Sequence, residues 1–166
     1  MKSHIAFGVL AAMGLLAATQ VWAEDVVRHK LPNSSFPISL AVEVPAGKTT
    51  VYLSGVVPSV LDKNADRNTI AAYGDTKVQT ESVLKAIDKT LSDLGLKMGD
   101  VVKMQVFLVG DPAKNGKMDF SGFMAAYTQF FGTAAQPNLP SRSVVQVAGL
   151  AGSGFLVEIE VTAVRP

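Results

Sequence analysis

An α+β fold, a mixed sheet carrying two helices on one face, follows from three features of this 166-residue chain. Apolar patterns of period two and period 3.6 succeed one another in the order β-β-β-α-β-α-β-β, without the strict alternation of a doubly wound parallel sheet. Each of the two helical patterns has a single apolar stripe, so each helix buries one side. Several strands carry Val, Leu or Met at both parities, which points to burial on both sheet faces. No helix remains for the second face, so self-association is expected to cover it.

The chain starts with a short basic stretch, Met1-Lys2-Ser3-His4, followed by Ile5–Ala18, which carries no charge, and by Val21-Trp22-Ala23, an A-x-A-like site. Residues 1–23 therefore read as a secretory signal peptide cleaved after Ala23, with residues 24–166 as a single domain and a periplasmic or secreted location. The competing reading is an uncleaved membrane anchor, for which the apolar stretch is short. The chain has no cysteine, so an oxidising compartment would give it no disulfide and stability must come from core and assembly. It carries 15 basic and 14 acidic residues. Losing residues 1–23 removes one cation, Lys2, and leaves a neutral balance. That disfavours nucleic acid as a partner and gives no reason to expect binding to an anionic membrane.

The elements follow in order. Asp25–Leu31 reads as a first strand with His29 on its surface. His29 is the sole histidine after residue 23 and has no companions at ligand spacing, so no metal site is expected. Pro32–Pro37 is a break, Ser39–Val44 a short strand, Pro45–Lys48 a turn, and Thr49–Val57 a third strand. Pro58–Tyr73 is a polar loop. Thr76-x-x-Gln79 has the form of a capping box at the start of the first helix. Val83, Ile87, Leu91 and Leu94 form its stripe, and Gly95 ends it. Asp100–Val109 is a strand with Val102, Met104, Val106 and Leu108 facing one way. The second helix starts at the N-cap candidate Asp119 and runs to Gly132. Its stripe of Phe120, Phe123, Tyr127, Phe130 and Phe131 reads as core, since no basic residues interleave with it as a base-stacking surface requires.

The last third, Leu139 to Val164, carries the densest charge. Ser143–Ala148 and Phe155–Val164 flank a Gly-rich bend and read as a hairpin. Alternation puts Phe155, Val157, Ile159, Val161 and Ala163 on one face and Leu156, Glu158, Glu160, Thr162 and Val164 on the other. With the bend centred near Ala151 and Gly152, Arg142 is expected opposite Glu158 or Glu160 and on their face. Two readings stand: a cross-strand ion pair on a solvated face, or an anion site in which the planar guanidinium grips a carboxylate and a glutamate handles a proton or water.

Several stretches together resemble the Rid family (reactive intermediate deaminases, YjgF-type). They are Val51–Gly55; Gly74-Asp75-Thr76 with Gln79-Thr80; Gly99–Lys103 with Val106–Leu108; Asp119-Phe120; Tyr127 with Phe130-Phe131; Pro140–Ser143; and Val157–Glu160. The resemblance implies a chorismate-mutase-like fold and a homotrimer with sites in the clefts between subunits. It also implies hydrolysis of enamines and imines such as 2-aminoacrylate to 2-keto acids and ammonia, with no cofactor and no metal. It places the carboxylate-binding arginine at Arg142, the glutamate beside the attacking water at Glu158, and the motif serine at Ser54. Four positions depart from frequent family residues: Ile38 where a tyrosine is common, Val56 for Gln, Met124 for Asn and Val144 for Cys. Ile38, Met124 and Val144 would line a more apolar substrate pocket. The expectation is an exported enamine/imine deaminase acting on a small carboxylate. The alternative is a non-catalytic module of the same fold that binds a small carboxylate or a partner protein.

Overall fold

The computed structural model describes residues 25–166, so the signal-peptide reading of residues 1–23 lies outside it. Its strands and helices succeed one another as expected: β1 (Val27–Lys30), β2 (Ser39–Glu43), β3 (Thr50–Tyr52), α1 (Thr76–Asp93), β4 (Val101–Val109), α2 (Phe120–Tyr127), β5 (Ser141–Val147) and β6 (Val157–Val164). The main sheet has the order β3-β6-β4-β5, and β1 pairs antiparallel with β2 in a sheet of two. No helix among the described residues is long and apolar enough to cross a membrane.

The topology explains why both helices share a face. β4 and β5 are parallel, joined through α2. β3 and β4 each pair antiparallel with β6, so they too run parallel, joined through α1. Both crossovers step the same way along the sheet, and right-handed crossovers then put both helices on the same side. β6 enters last, antiparallel, between β3 and β4. Under the helices lies one core: Val83, Leu84, Ile87 and Leu91 of α1, Phe123 and Tyr127 of α2, Met104, Val106 and Leu108 of β4, and Val157, Ile159, Val161 and Ala163 of β6.

This order corrects the hairpin reading. β5 and β6 are not neighbours, because β4 lies between them. Arg142 stands opposite Met104, which in turn stands opposite Val161. Arg142 therefore shares the helix-facing side, while Glu158 and Glu160, opposite Phe107 and Gln105, point to the other face. The Gly-rich segment 148–156 is a bridge over β4 rather than a turn. Gln79 holds it in place: buried in α1, it donates from Nε2 to the carbonyls of Gly74 (2.9 Å) and Gly154 (3.0 Å) and accepts from the Leu156 amide (2.7 Å). The capping box is corrected accordingly. Asp75 caps α1 by accepting from the Val78 amide at 2.9 Å, and Gln79 serves the bridge instead.

Other boundaries shift for local reasons. Leu94 is the C-cap residue of α1 and is exposed, and Leu84 and Leu96 fill the core in its place. α2 stops at Tyr127, after which the backbone tightens: the Gln129 and Phe130 amides donate three residues back, to the Ala126 and Tyr127 carbonyls, each at 3.0 Å, and Gln129 Nε2 takes the Ala125 carbonyl at 3.0 Å. The third strand breaks at Ser54-Gly55 and pairs again only at Val56, opposite Ile159. The uncovered face of β4 and β6 presents Lys103, Gln105, Phe107, Glu158, Glu160 and Thr162, so within one chain the sheet is buried on one side only.

Candidate functional site

The side chain of Arg142 leaves β5 toward α2 and meets three aromatic rings. Its guanidinium carbon lies 4.1 Å from the Tyr127 ring centroid, 5.0 Å from Phe123 and 5.5 Å from Phe36. Nη2 approaches the Met124 sulfur at 3.3 Å, a weak acceptor. Nη1 is buried and has no hydrogen-bond partner. The ion pairs among the described residues are His29–Glu43, Lys77–Glu81 and Lys89–Asp93, and none includes Arg142.

Burial pulls the guanidinium's pKa down, an effect partly offset by Tyr127. Burial likewise pushes the Tyr127 phenol up, to about 12, against the pull of the nearby cation. The phenol is therefore neutral at ordinary pH. It donates to the Pro37 carbonyl at 2.9 Å and stacks on Phe131 at 4.9 Å. A half-buried cation held by π faces, with an unused donor, can take an anion, and a planar carboxylate matches its fork.

The predicted site residues fall into three places. Arg142, Met124 and Val144 are together on the helix side, with Val144 half-buried against the core. Ser54 and Glu158 are on the opposite face. Gly55 matters here, since a Cβ at that position would strike Glu158 Oε1, and so the carboxylate lies over the bare backbone of the Ser54-Gly55 break. Ser54 also borders a shallow depression of about 360 Å³ with Tyr52, Lys103 and Glu160. Ile38 lines clefts with Leu139, and Phe36, two residues earlier, is the one that reaches Arg142. Two strand spacings of ~4.8 Å and three residues of ~3.3 Å separate Arg142 and Glu158, about 14 Å between Cα atoms, with side chains pointing to opposite faces.

Phe36, Phe123 and Tyr127 escaped the sequence reading as site residues. Phe123 and Tyr127 were legible as core, and the missing signal was the parallel pairing of β5 with β4, which turns Arg142 toward α2. His29 also has a partner, Glu43 at 2.6 Å across the β1–β2 pair. Among the described residues no group of three or more His, Asp or Glu side chains is arranged to hold a metal.

A family profile described as endoribonuclease L-PSP matches residues 29–165. The chain belongs to that family. It is the Rid/YjgF family whose motifs the sequence displays. A 2-iminobutanoate/2-iminopropanoate deaminase of Salmonella typhimurium is 34% identical over 115 residues, 69% of this chain and 79% of that one. The YjgF gene product of E. coli superimposes with a TM-score of 0.55 at 31% identity, covering 81% of this chain and 93% of that one. E. coli TdcF, solved with bound serine, gives 0.55 at 29% identity, covering 86% and 99%.

Proposed function

We propose that this Rid-family chain is an exported enamine/imine deaminase that hydrolyses reactive 2-imino and 2-enamino acids to 2-keto acids and ammonia. The observation that carries the reading is the half-buried Arg142 guanidinium, without an acidic partner and with a buried, unsatisfied Nη1. Relatives named as iminobutanoate/iminopropanoate deaminases, and a family structure holding serine, support a small α-nitrogen carboxylate as the ligand class. The neutral charge balance argues against RNA, although the family's description names an endoribonuclease.

In this mechanism Arg142 fixes the substrate carboxylate and draws electrons from the adjacent C=N bond. A 2-enamino acid first takes a proton at Cβ to become the iminium; a water held by Glu158 then adds to the iminium carbon, and its proton passes through the carboxylate to the nitrogen. The carbinolamine collapses, the C–N bond breaks, and the products are the keto acid and ammonium. Arg142 and Glu158 face opposite sides of one sheet, so a site using both takes Arg142 from one copy and Glu158 with Ser54 from another. A homotrimer with clefts between subunits supplies that arrangement. Residues 1–23 direct the chain out of the cytoplasm.

The test uses imino acids generated in situ by an amino-acid oxidase, with capture of free imine as the readout. Faster imine loss with the purified protein, abolished by Arg142→Ala, is the expected result. No acceleration by folded, assembled protein for any imino acid overturns the reading. It would favour the binding module instead, for which one observation speaks already: the guanidinium is roofed by Phe36 rather than open.

A further inference from the structure

We infer that Phe36 is a gate over the Arg142 anion site and that Tyr127 is the positioning residue that latches it through the Pro37 carbonyl. The inference rests on the carboxylate reading of Arg142. Nη1 is buried in the chain as it stands, so a carboxylate can reach it only if a neighbour yields. Phe123 and Tyr127 are fully buried on α2, and Met124 sits on the same helix. Phe36 alone is exposed, at 40%, and lies in the irregular connection between β1 and β2.

What holds Phe36 closed is modest. Its ring stacks on Phe120 at 6.4 Å, and its amide donates only to the Ser34 hydroxyl oxygen, at 3.1 Å. Phe36 has room beside it. Phe36 walls a cleft of about 240 Å³ shared with Leu31, Ser34, Ile38 and Leu139, and a cavity of about 150 Å³ suffices for a benzene ring. Swinging into this cleft, whose lining also includes Lys30 and Ser35, would uncover the guanidinium and set the ring against Leu31, Ile38 and Leu139. The chain is pinned just beyond, where Ser39 donates from its amide to Pro140 (2.9 Å) and from Oγ to Leu139 (2.7 Å). The moving part is therefore short, and the Tyr127 hydroxyl on the Pro37 carbonyl, at 2.9 Å, is the bond that ties it to α2. The same tyrosine presents its ring to Arg142, so one residue sets both the cation and its cover.

The experiment is labelling with phenylglyoxal, an arginine-directed dicarbonyl, followed by peptide mass measurement of the Arg142 adduct relative to that of exposed Arg67 in the same sample. A general loss of stability would expose every protected arginine, so the adduct of half-buried Arg28, whose Nη2 donates to the Gly99 and Val101 carbonyls, is followed alongside and must stay at its wild-type level. Phe36→Ala is expected to raise the Arg142 to Arg67 ratio about tenfold, the gain for a gate that stands open about one time in ten, the upper end of ordinary minor-state populations. Tyr127→Phe keeps the ring and loses the latch, and is expected to lie between. Saturating 2-oxobutanoate, a stable carboxylate of the product class, is expected to protect Arg142 in all three proteins. An unchanged ratio in Phe36→Ala overturns the gate and leaves the carboxylate reading intact. A Tyr127→Phe ratio equal to wild type removes the latch. Labelling without protection overturns the carboxylate reading itself.

Discussion

Arg142 is a half-buried cation whose neighbours offer π faces and a thioether instead of a carboxylate. Desolvating a charge without an ionic partner costs stability, and cation–π contacts of ~1–2 kcal/mol each return only part of it. A group that stability alone would not select is explained by binding. Arg142→Met fills the same aromatic slot without the charge. It is expected to abolish carboxylate binding and imine turnover while leaving stability unchanged or raising it by up to about 3 kcal/mol, as apolar replacement of buried charge often does. Thermal unfolding and the imine assay on the same preparation check both halves. A variant that melts far below wild type would mean that the guanidinium is structural. At this scale the sequence showed the arginine, and Met124 beside it. It hid Phe36, because an aromatic in an irregular Pro-containing stretch follows no period that reveals which side chain it will cover.

The elements are governed by a few side chains that meet backbone. Asp119 caps α2 by accepting from the Gly122 amide at 3.1 Å. Burial alone would raise its carboxyl. The Gly122 amide, the Ser121 hydroxyl and the charge of Lys114 outweigh that, and the pKa lies below the ordinary 3.8. A depressed acid contributes stability above its unfolded pKa and loses it as pH falls through the folded value. Asp119→Ala should therefore cost about 1 kcal/mol near neutrality, and the difference from wild type should shrink below pH 3.8, as read by urea unfolding at several pH values. Gln79 serves the bridge over β4 in the same manner but from a fully buried position. Gln79→Ala strands the Leu156 amide and two carbonyls, and is expected to cost about 2–4 kcal/mol. A cost near zero would mean that segment 148–156 holds itself. The caps at Asp119 and Gly95 were legible from local chemistry, since a cap depends on residues a few positions away. The pairing of β5 with β4 was not. Two apolar runs around a Gly-rich bend satisfy every local rule for a hairpin, and only the crossover through α2 decides that β4 comes between them.

Across the molecule, the uncovered sheet face is where the remaining site residues lie. Glu158 rests on Gly55, and on the same face Ser54, Lys103, Glu160 and the largely exposed Tyr52 line a shallow depression. Apolar residues at both parities predicted burial on both sides. One chain covers only one, and the mixed character of the other face suits an interface that also holds a wet, reactive cleft. Because Arg142 points to the helix side and Glu158 to this face, the proposed site divides its two reacting groups between copies. Arg142→Ala and Glu158→Gln, each inactive alone, should then complement when unfolded together and refolded at equal amounts. In a cyclic assembly each site draws its arginine from one copy and its glutamate from the next. An intact site needs the Glu158→Gln chain in the first place and the Arg142→Ala chain in the second, each with even odds, so about a quarter of wild-type turnover should return. Recovery at that level ties catalysis to the assembly. Activity that stays at zero, in mixtures shown by mass to contain mixed assemblies, would place both groups of any working site within one chain and refute the divided arrangement.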